Sequence, residues 1–344
     1  MNKKQITLVD LAKTLGISTA TVSRALKNYP DISADTKKRV VELARELNYR
    51  PNTMAAGLRK RESKVIGVII PSIVDHFFSA VIKGIMEVAY EQDYRVMLCQ
   101  SNEDYHKEVA DAQALYASRV DGVLVSVAHG TVQFDHFRDF QEAGVPIVFF
   151  DKVPTGLDGT SRVIVDDHDG AFQAVSHLIQ QGHRQIAHFR GPLIATTSYN
   201  RLMGYRDALA AHGIPYDESL IYACQDITLE EGRQFTRRLL NEHPGCTAIF
   251  TVTDTVAIGA MTALKMAGKR IPDEMALIGF SDWAISAIME PPLSSVSQPS
   301  WEMGRTAARL LLDEIHSAKQ DLAFSPETVT LRTTLMIRQS SGGA

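Results

Sequence analysis

The chain has 344 residues, of which 45% are apolar and 22% charged; that is enough for two or three packed units and excludes a disordered polymer. The opening MNKKQITLVD has no apolar stretch behind its lysines, and no window approaches 18 uncharged apolar residues, so neither a secretory signal nor a membrane span is expected and the protein should stay in the cytoplasm. Residues 1–61 hold 13 Lys and Arg against 5 Asp and Glu, a net +8, while the remainder is net −12: a basic head on an acidic body, the footprint of a nucleic-acid-binding module, although on charge alone a solvated basic face serves equally well.

Thr7 followed three residues later by Asp10 resembles a capping box, and Leu8, Leu11, Ala12 and Leu15 make an i, i+3, i+4, i+7 stripe that ends at Gly16. Ser18 then caps a second helix reaching about Lys27, and only Gly16, Ile17 and Ser18 separate the two, the short turn of a helix-turn-helix. Ser33 opens a third helix whose Thr36, Val40, Leu43, Ala44 and Leu47 cover the first two; each helix alone is too short to be stable. On the second helix Thr19, Ala20, Ser23, Arg24 and Lys27 share the outward side. Small residues near its start let the backbone approach base edges and let a methyl touch thymine. Arg24 has the fork for guanine O6 and N7, and Thr21, Ser23 and Lys27 suit phosphates. With the caps Thr7 and Ser18 these residues form the expected DNA-facing set; the alternative is an exposed helix of no special function.

ITLVDLAKTLGISTATVSRALKN, ISADTKKRVVELARELNYRPN and AAGLRKR, followed by DGVLV, GHRQIAHFRGP, RLMGYRDAL, TDTVAIGAM and IPDEMALIGFSD, resemble in order, over nearly the whole chain, the lactose-repressor/galactose-repressor family of bacterial transcription regulators. The resemblance implies a homodimeric, DNA-binding regulator controlled by a small molecule, without naming that molecule; the expected reading is a repressor on a two-fold-symmetric double-stranded operator, with a sugar or sugar derivative as its effector. The expected organisation is a helix-turn-helix domain over 1–50, a hinge over 51–63 and an effector-binding and dimerisation core over 64–340. In the hinge, Pro51 ends the preceding helix and Gly57 lowers helix propensity by about 1 kcal/mol, so the segment should fold only with a partner. In the family this segment pairs with its dimer mate in the minor groove and inserts a leucine. Leu58 matches that wedge, with Asn52, Ala55 and Arg59 nearby, while a flexible linker with Leu58 packed back onto the core is the alternative.

From residue 64 onward short β-branched runs alternate with helical patterns. Strands are expected at 65–70, 94–100, 121–127, 145–151 and 162–167, then at 184–191, 220–225, 247–252 and 276–282. Helices are expected near 78–92, 107–118, 134–143, 169–181, 199–212, 229–242 and 254–267. These are two doubly wound parallel sheets that clamp a small molecule beyond their strand ends; the resemblance implies the same two-lobed, periplasmic-binding-protein-like core. The N-lobe should comprise about 64–165 plus 299–324, and the C-lobe about 166–295 plus a C-terminal strand.

Candidate ligand contacts sit at those strand ends. Phe77 and Phe78 offer flat apolar faces to a sugar ring, with core packing equally able to explain the pair. By resemblance Arg201 bonds effector hydroxyls or carboxylates, with Thr197 one turn earlier. Thr253, Asp254 and Asp282 lie at later strand ends, Asp254 being equally readable as a helix cap, and Asp151 and Gln298 match family pocket positions. Many sugar-responsive relatives carry aspartate where this chain has Ser281 and asparagine where it has Thr253, and purine-responsive ones carry arginine at Ala195, which weakens the purine reading.

No GxSxG, HExxH, GxxxxGK[ST] or strand-linked GxGxxG occurs, so no enzyme, cofactor or metal is expected. Asp166, Asp167, His168 and Asp169 are explained by capping rather than metal binding. Cys99, Cys224 and Cys246, odd in number and far apart, should be buried apolar residues. The competing readings are a solute-binding protein, which would leave residues 1–61 without a use, and a regulator governed by a protein partner.

Overall fold

The computed structural model describes residues 6–49 and 62–342, and the chain divides into two units, Met1–Ser63 and Lys64–Ala344. In the first, α1 (Leu8–Leu15) starts at a reciprocal cap: Asp10 N donates to Thr7 Oγ1 at 3.3 Å and Thr7 N to Asp10 Oδ2 at 2.8 Å. It stops at Gly16, whose φ of 64° is the left-handed value that an L side chain adopts only at a cost. Ser18 Oγ accepts from Thr21 N to open α2 (Thr19–Leu26), and Ser33 Oγ accepts from Thr36 N to open α3 (Ala34–Glu46). Leu11, Ala12, Val22, Ala25, Val40 and Ala44 are buried together, so three marginal helices become one stable unit by sharing a single core.

The second unit is two six-stranded sheets. The N-lobe is built from β1 (Val65–Ile70), α4 (His76–Glu91), β2 (Arg95–Gln100), α5 (Tyr105–Ala117), β3 (Gly122–Val125), α6 (Asp135–Glu142), β4 (Ile147–Phe150) and β5 (Ser161–Val165). The chain then enters the C-lobe through α7 (Asp167–Gln180), β6 (Ile186–Arg190), α8 (Thr196–Ala211), β7 (Ile221–Ala223), α9 (Leu229–Glu242), β8 (Ala248–Thr251), α10 (Asp254–Met266), β9 (Ala276–Ser281) and β10 (Ser294–Ser297). It returns with α11 (Ser300–Lys319) and β11 (Thr328–Leu331) and crosses once more into β12 (Thr334–Met336). The sheet orders are β11-β5-β4-β3-β1-β2 and β12-β10-β9-β8-β6-β7. Every pairing is parallel except β10 with β12.

Alternation along each strand feeds two layers of core, as period-2 side chains must. In the N-lobe Ile66, Val68 and Ile70 pack towards α4 and α11, and Ile69, Val123 and Phe149 pack with α5 and α6 residues. Helices α4 and α11 meet at two glycines. A Cβ on Gly84 would lie 2.2 Å from Trp301 O, and one on Gly304 would lie 2.0 Å from Val81 O.

One expectation needs revising here. The single C-terminal strand assigned to the C-lobe is two strands, and the first, β11, is the outer strand of the N-lobe sheet beside β5. The N-lobe therefore runs to Leu331 rather than to about 324, and the chain passes between the lobes three times. Strand β10, SSVS, escaped notice because serines supply no apolar alternation, although three of its four residues are buried.

Candidate functional site

On the first unit, α2 presents Thr19, Ala20, Arg24 and Lys27 to solvent, with Ser18 exposed at its start and Ser23 half-buried. The opposite side carries the buried Val22 and Ala25. Three of the named hydroxyls are committed within the protein: Thr7 Oγ1 donates to Asp10 Oδ2 at 2.7 Å, and Thr21 Oγ1 and Ser18 Oγ share a 2.9 Å bond. The Arg24 guanidinium is held by Asp31 at 2.5 Å and lies 5.4 Å from the Tyr29 ring centre. The sequence signal for Asp31 and Tyr29 as its supports was only their closeness in the chain. Asn52, Ala55, Leu58 and Arg59 lie outside the described residues.

In the second unit the strand ends bring charged side chains to the gap between the lobes. Asp151 follows β4 with φ 59° and is buried; Ser126 Oγ, just past β3, donates to its Oδ2 at 3.2 Å. Burial pushes the Asp151 carboxyl up to about 6; Lys152 and Arg201 pull it down and the Asp167 charge raises it further. Arg201 and Thr197, both on α8, are buried. Arg201 Nε and Nη2 both reach Asp167 Oδ1, at 2.8 and 2.7 Å, Nη1 donates to Val252 O at 2.6 Å, and the guanidinium stacks 3.7 Å from the Phe280 ring centre. The expected ligand-binding arginine thus already has a protein partner, and Asp151 and Asp167 sit within electrostatic reach of each other and of it. Lys152 Nζ bonds Glu103 at 2.5 Å, and His129 also bonds that carboxylate. Although burial raises it, these two partners hold the Glu103 carboxyl down at about 2. Gln298, at the crossing from β10 to α11, is buried, and its Nε2 has no partner among the described residues.

Several expected contacts serve other ends. Phe77 and Phe78 belong to the N-lobe core, 7% and 5% exposed, edge-to-face with each other, because the first turn of α4 buries both against β1. Thr253, not Asp254, caps α10. Asp254 is instead a fastener: Oδ2 accepts from Trp283 N at 2.7 Å and Ser286 Oγ at 2.6 Å, and Oδ1 accepts from Ser295 Oγ at 2.6 Å. Burial pushes its carboxyl up to about 6 against the pull of those donors. Asp282 is tied to Arg338 at 2.7 Å. At the start of α7, Asp166 supplies the cap through Asp169 N, which frees Asp167 for Arg201. A doublet of aspartates where a helix needs one cap was the available sequence signal for that second role. Cys224 and Cys246 are buried but Cys99 is only half-buried, and burial raises all three thiols.

Residues 63–334 match the family described as periplasmic binding proteins and sugar binding domain of the LacI family, and residues 7–52 match bacterial regulatory proteins of the lacI family. The ribose operon repressor of Halalkalibacterium halodurans is 32% identical over 337 residues, 98% of this chain and 97% of that protein. The transcriptional repressor CytR of Escherichia coli is 34% identical over 309 residues, 90% and 89%. Among solved structures, the lac repressor dimer bound to operator and the anti-inducer ONPF superposes with a TM-score of 0.81 at 28% identity, covering 98% of this chain and 99% of that one. A complex of the transcriptional regulator CelR with cellobiose gives 0.74 at 30% identity, covering 98% and 100%. A three-helix unit that presents small residues and an arginine outward, followed by a two-lobed α/β core, accords with both matches: the chain belongs to the LacI family of bacterial regulatory proteins.

Proposed function

We propose that the protein is a cytoplasmic transcriptional repressor. As a homodimer it binds a two-fold-symmetric operator through α2, with Arg24 reading guanine, and a carbohydrate between its lobes controls it. The observation that carries the reading is the exposed face of α2, where Thr19, Ala20, Arg24 and Lys27 stand together on a helix whose other side is core. The relatives' names give the ligand class its direction: one is a ribose operon repressor, another was solved with cellobiose and a third with bound ribose. Asp151, Arg201, Asp167, Thr197 and Gln298 are the residues proposed to meet the ligand, while Asp254 and Asp282 support the wall from behind. Nothing in this arrangement calls for a reaction. No helix among the described residues is long and apolar enough to cross a membrane.

The test is selection of binding sites from random duplex DNA by the full chain, followed by mobility shifts with and without ribose, cellobiose and related sugars. A two-fold-symmetric site whose occupancy changes with one sugar is the expected result. Equal retention of all duplexes would remove the sequence-reading role, and occupancy that no sugar alters would remove the carbohydrate role alone.

A further inference from the structure

Resting on the carbohydrate reading above, we infer that the cleft takes an uncharged polyhydroxy ligand and rejects the phosphorylated and carboxylated forms of the same sugars. Around the cleft three cations, one on α8 and two just past strand ends, are each matched by a carboxylate. Arg201 is held by Asp167, Lys152 by Glu103 at 2.5 Å and Arg338 by Asp282 at 2.7 Å. Arg190, at the end of β6, donates to Gly191 O, and its charge is felt by Cys224 and Tyr216, towards the β7 edge. After these pairings Asp151 remains as a carboxylate with no cation of its own, and Asp254 is met only by neutral hydroxyl and amide donors. Among the described residues Arg201, Lys152 and Arg338 are therefore each neutralised by a carboxylate, Arg190 alone of these four keeps a guanidinium without one, and Asp151 adds a carboxylate that no cation bonds.

The hydrogen-bonding capacity left over points the same way. Both Arg201 contacts fall on Asp167 Oδ1, and the Ser126 contact falls on Asp151 Oδ2. One oxygen of each buried carboxylate thus lacks a protein bond among the described residues. Such acceptors suit hydroxyl donors, and the unpartnered Nε2 of Gln298 suits a hydroxyl or ring oxygen. A phosphate or carboxylate brings acceptors only and would place like charge beside Asp151 and Asp167 in a poorly screened space. The feature most favourable to an anion is the cavity at the start of α8, which Ala195 and Thr196 line together with His129, Lys152 and Thr155 and where Ala195 supplies no capping side chain. A helix terminus alone changes anion affinity by about two- to fivefold, and up to about thirtyfold where it is partly buried, while Glu103 already neutralises the neighbouring ammonium.

The experiment is thermal unfolding of the full chain with ribose against ribose 5-phosphate, glucose against glucose 6-phosphate and gluconate, cellobiose, and inorganic phosphate at matched ionic strength. Wild type and Asp151→Asn are run in parallel, because a ligand bound by the folded state raises Tm in a saturable way. A neutral sugar should bind at least tenfold more tightly than its phosphate, inorganic phosphate should give no saturable shift, and Asp151→Asn should narrow the gap by tenfold or more. A sugar phosphate or gluconate that matches or exceeds its neutral counterpart, or a ratio that Asp151→Asn leaves unchanged, overturns the inference. If no carbohydrate of any kind binds, the carbohydrate reading is what fails, and inorganic phosphate then decides: saturable binding to wild type overturns the exclusion, whereas binding gained only in Asp151→Asn upholds it.

Discussion

Arg201 and Asp167 form a buried pair, 6% and 4% exposed at the side chain, and removing one member of such a pair strands the other. Arg201→Ala is therefore expected to lower stability by about 3–5 kcal/mol, measured by urea unfolding, besides any loss of ligand. A wild-type unfolding midpoint in that variant would show that Asp167 does not depend on its arginine. Asp151 behaves differently, because nothing of opposite charge bonds it. Its carboxyl titrates near 3.8 when free and at about 6 when folded, so its contribution to stability is complete below pH 4 and is lost as pH rises through 6. Asp151→Asn, which cannot ionise, should flatten that part of the pH–stability profile and raise stability at pH 7.5 by about 1–3 kcal/mol. An unchanged slope between pH 5 and 7.5 would exclude Asp151 as its source. At this scale the sequence reading names Arg201 and Asp151 but misses their partners, since Asp167 and Ser126 come from distant turns that only the folded sheet brings near. For Phe77 and Phe78 it leaves core and cleft equally open, because a strand end followed by aromatics looks the same whether the helix turns them in or out; the structure buries both in the N-lobe core, with Lys152 Nζ 5.6 Å from the Phe78 ring centre.

Helix α2 was legible almost residue by residue: a serine cap, a buried stripe and an exposed small-residue face are all local signals. What it does with Arg24 is set by the following turn, where Asp31 and Tyr29 hold the guanidinium in place. Arg24→Ala should cost about 1–3 kcal/mol of discrimination at a guanine in each half-site, whereas Lys27→Ala should weaken specific and random DNA alike and reduce the salt slope. Equal weakening of both DNAs by Arg24→Ala would remove the base-reading role. The α/β alternation of the core was legible for the same reason as α2, since each strand and helix carries its own periodicity. The seam between α4 and α11 was not, because Gly84 and Gly304 lie more than two hundred residues apart and a glycine announces no contact. Gly304→Ala places a methyl against Val81 O and is expected to destabilise the fold by about 1–3 kcal/mol, read as a lowered Tm; an unshifted Tm would show that the two helices separate without cost.

At the level of the whole molecule, the two sheets are joined between Val165 and Asp167, between Ser297 and Ser300, and between Leu331 and Thr334. Asp167 and Gln298 lie at two of these connections, which is where the proposed carbohydrate would meet both lobes.

The last of those connections governs how the protein comes into being. Strand β11 completes the edge of one sheet and β12 the edge of the other, so residues 328–336 finish both lobes at once. Neither sheet has its full set of strands while the chain is still being made, and the pairing of β11 with β5 spans more than 160 residues, a long-range closure of the slow kind. During synthesis two incomplete sheets must therefore wait with open edges until the same short segment reaches both. A chain ended at residue 326, which lacks β11, β12 and the Arg338 contact to Asp282, should accumulate as aggregate or protease-sensitive material in which both lobes are compromised together. Pulse proteolysis of that shortened chain, with fragments assigned to residues 64–165 or 166–295, separates this joint failure from the survival of either lobe alone.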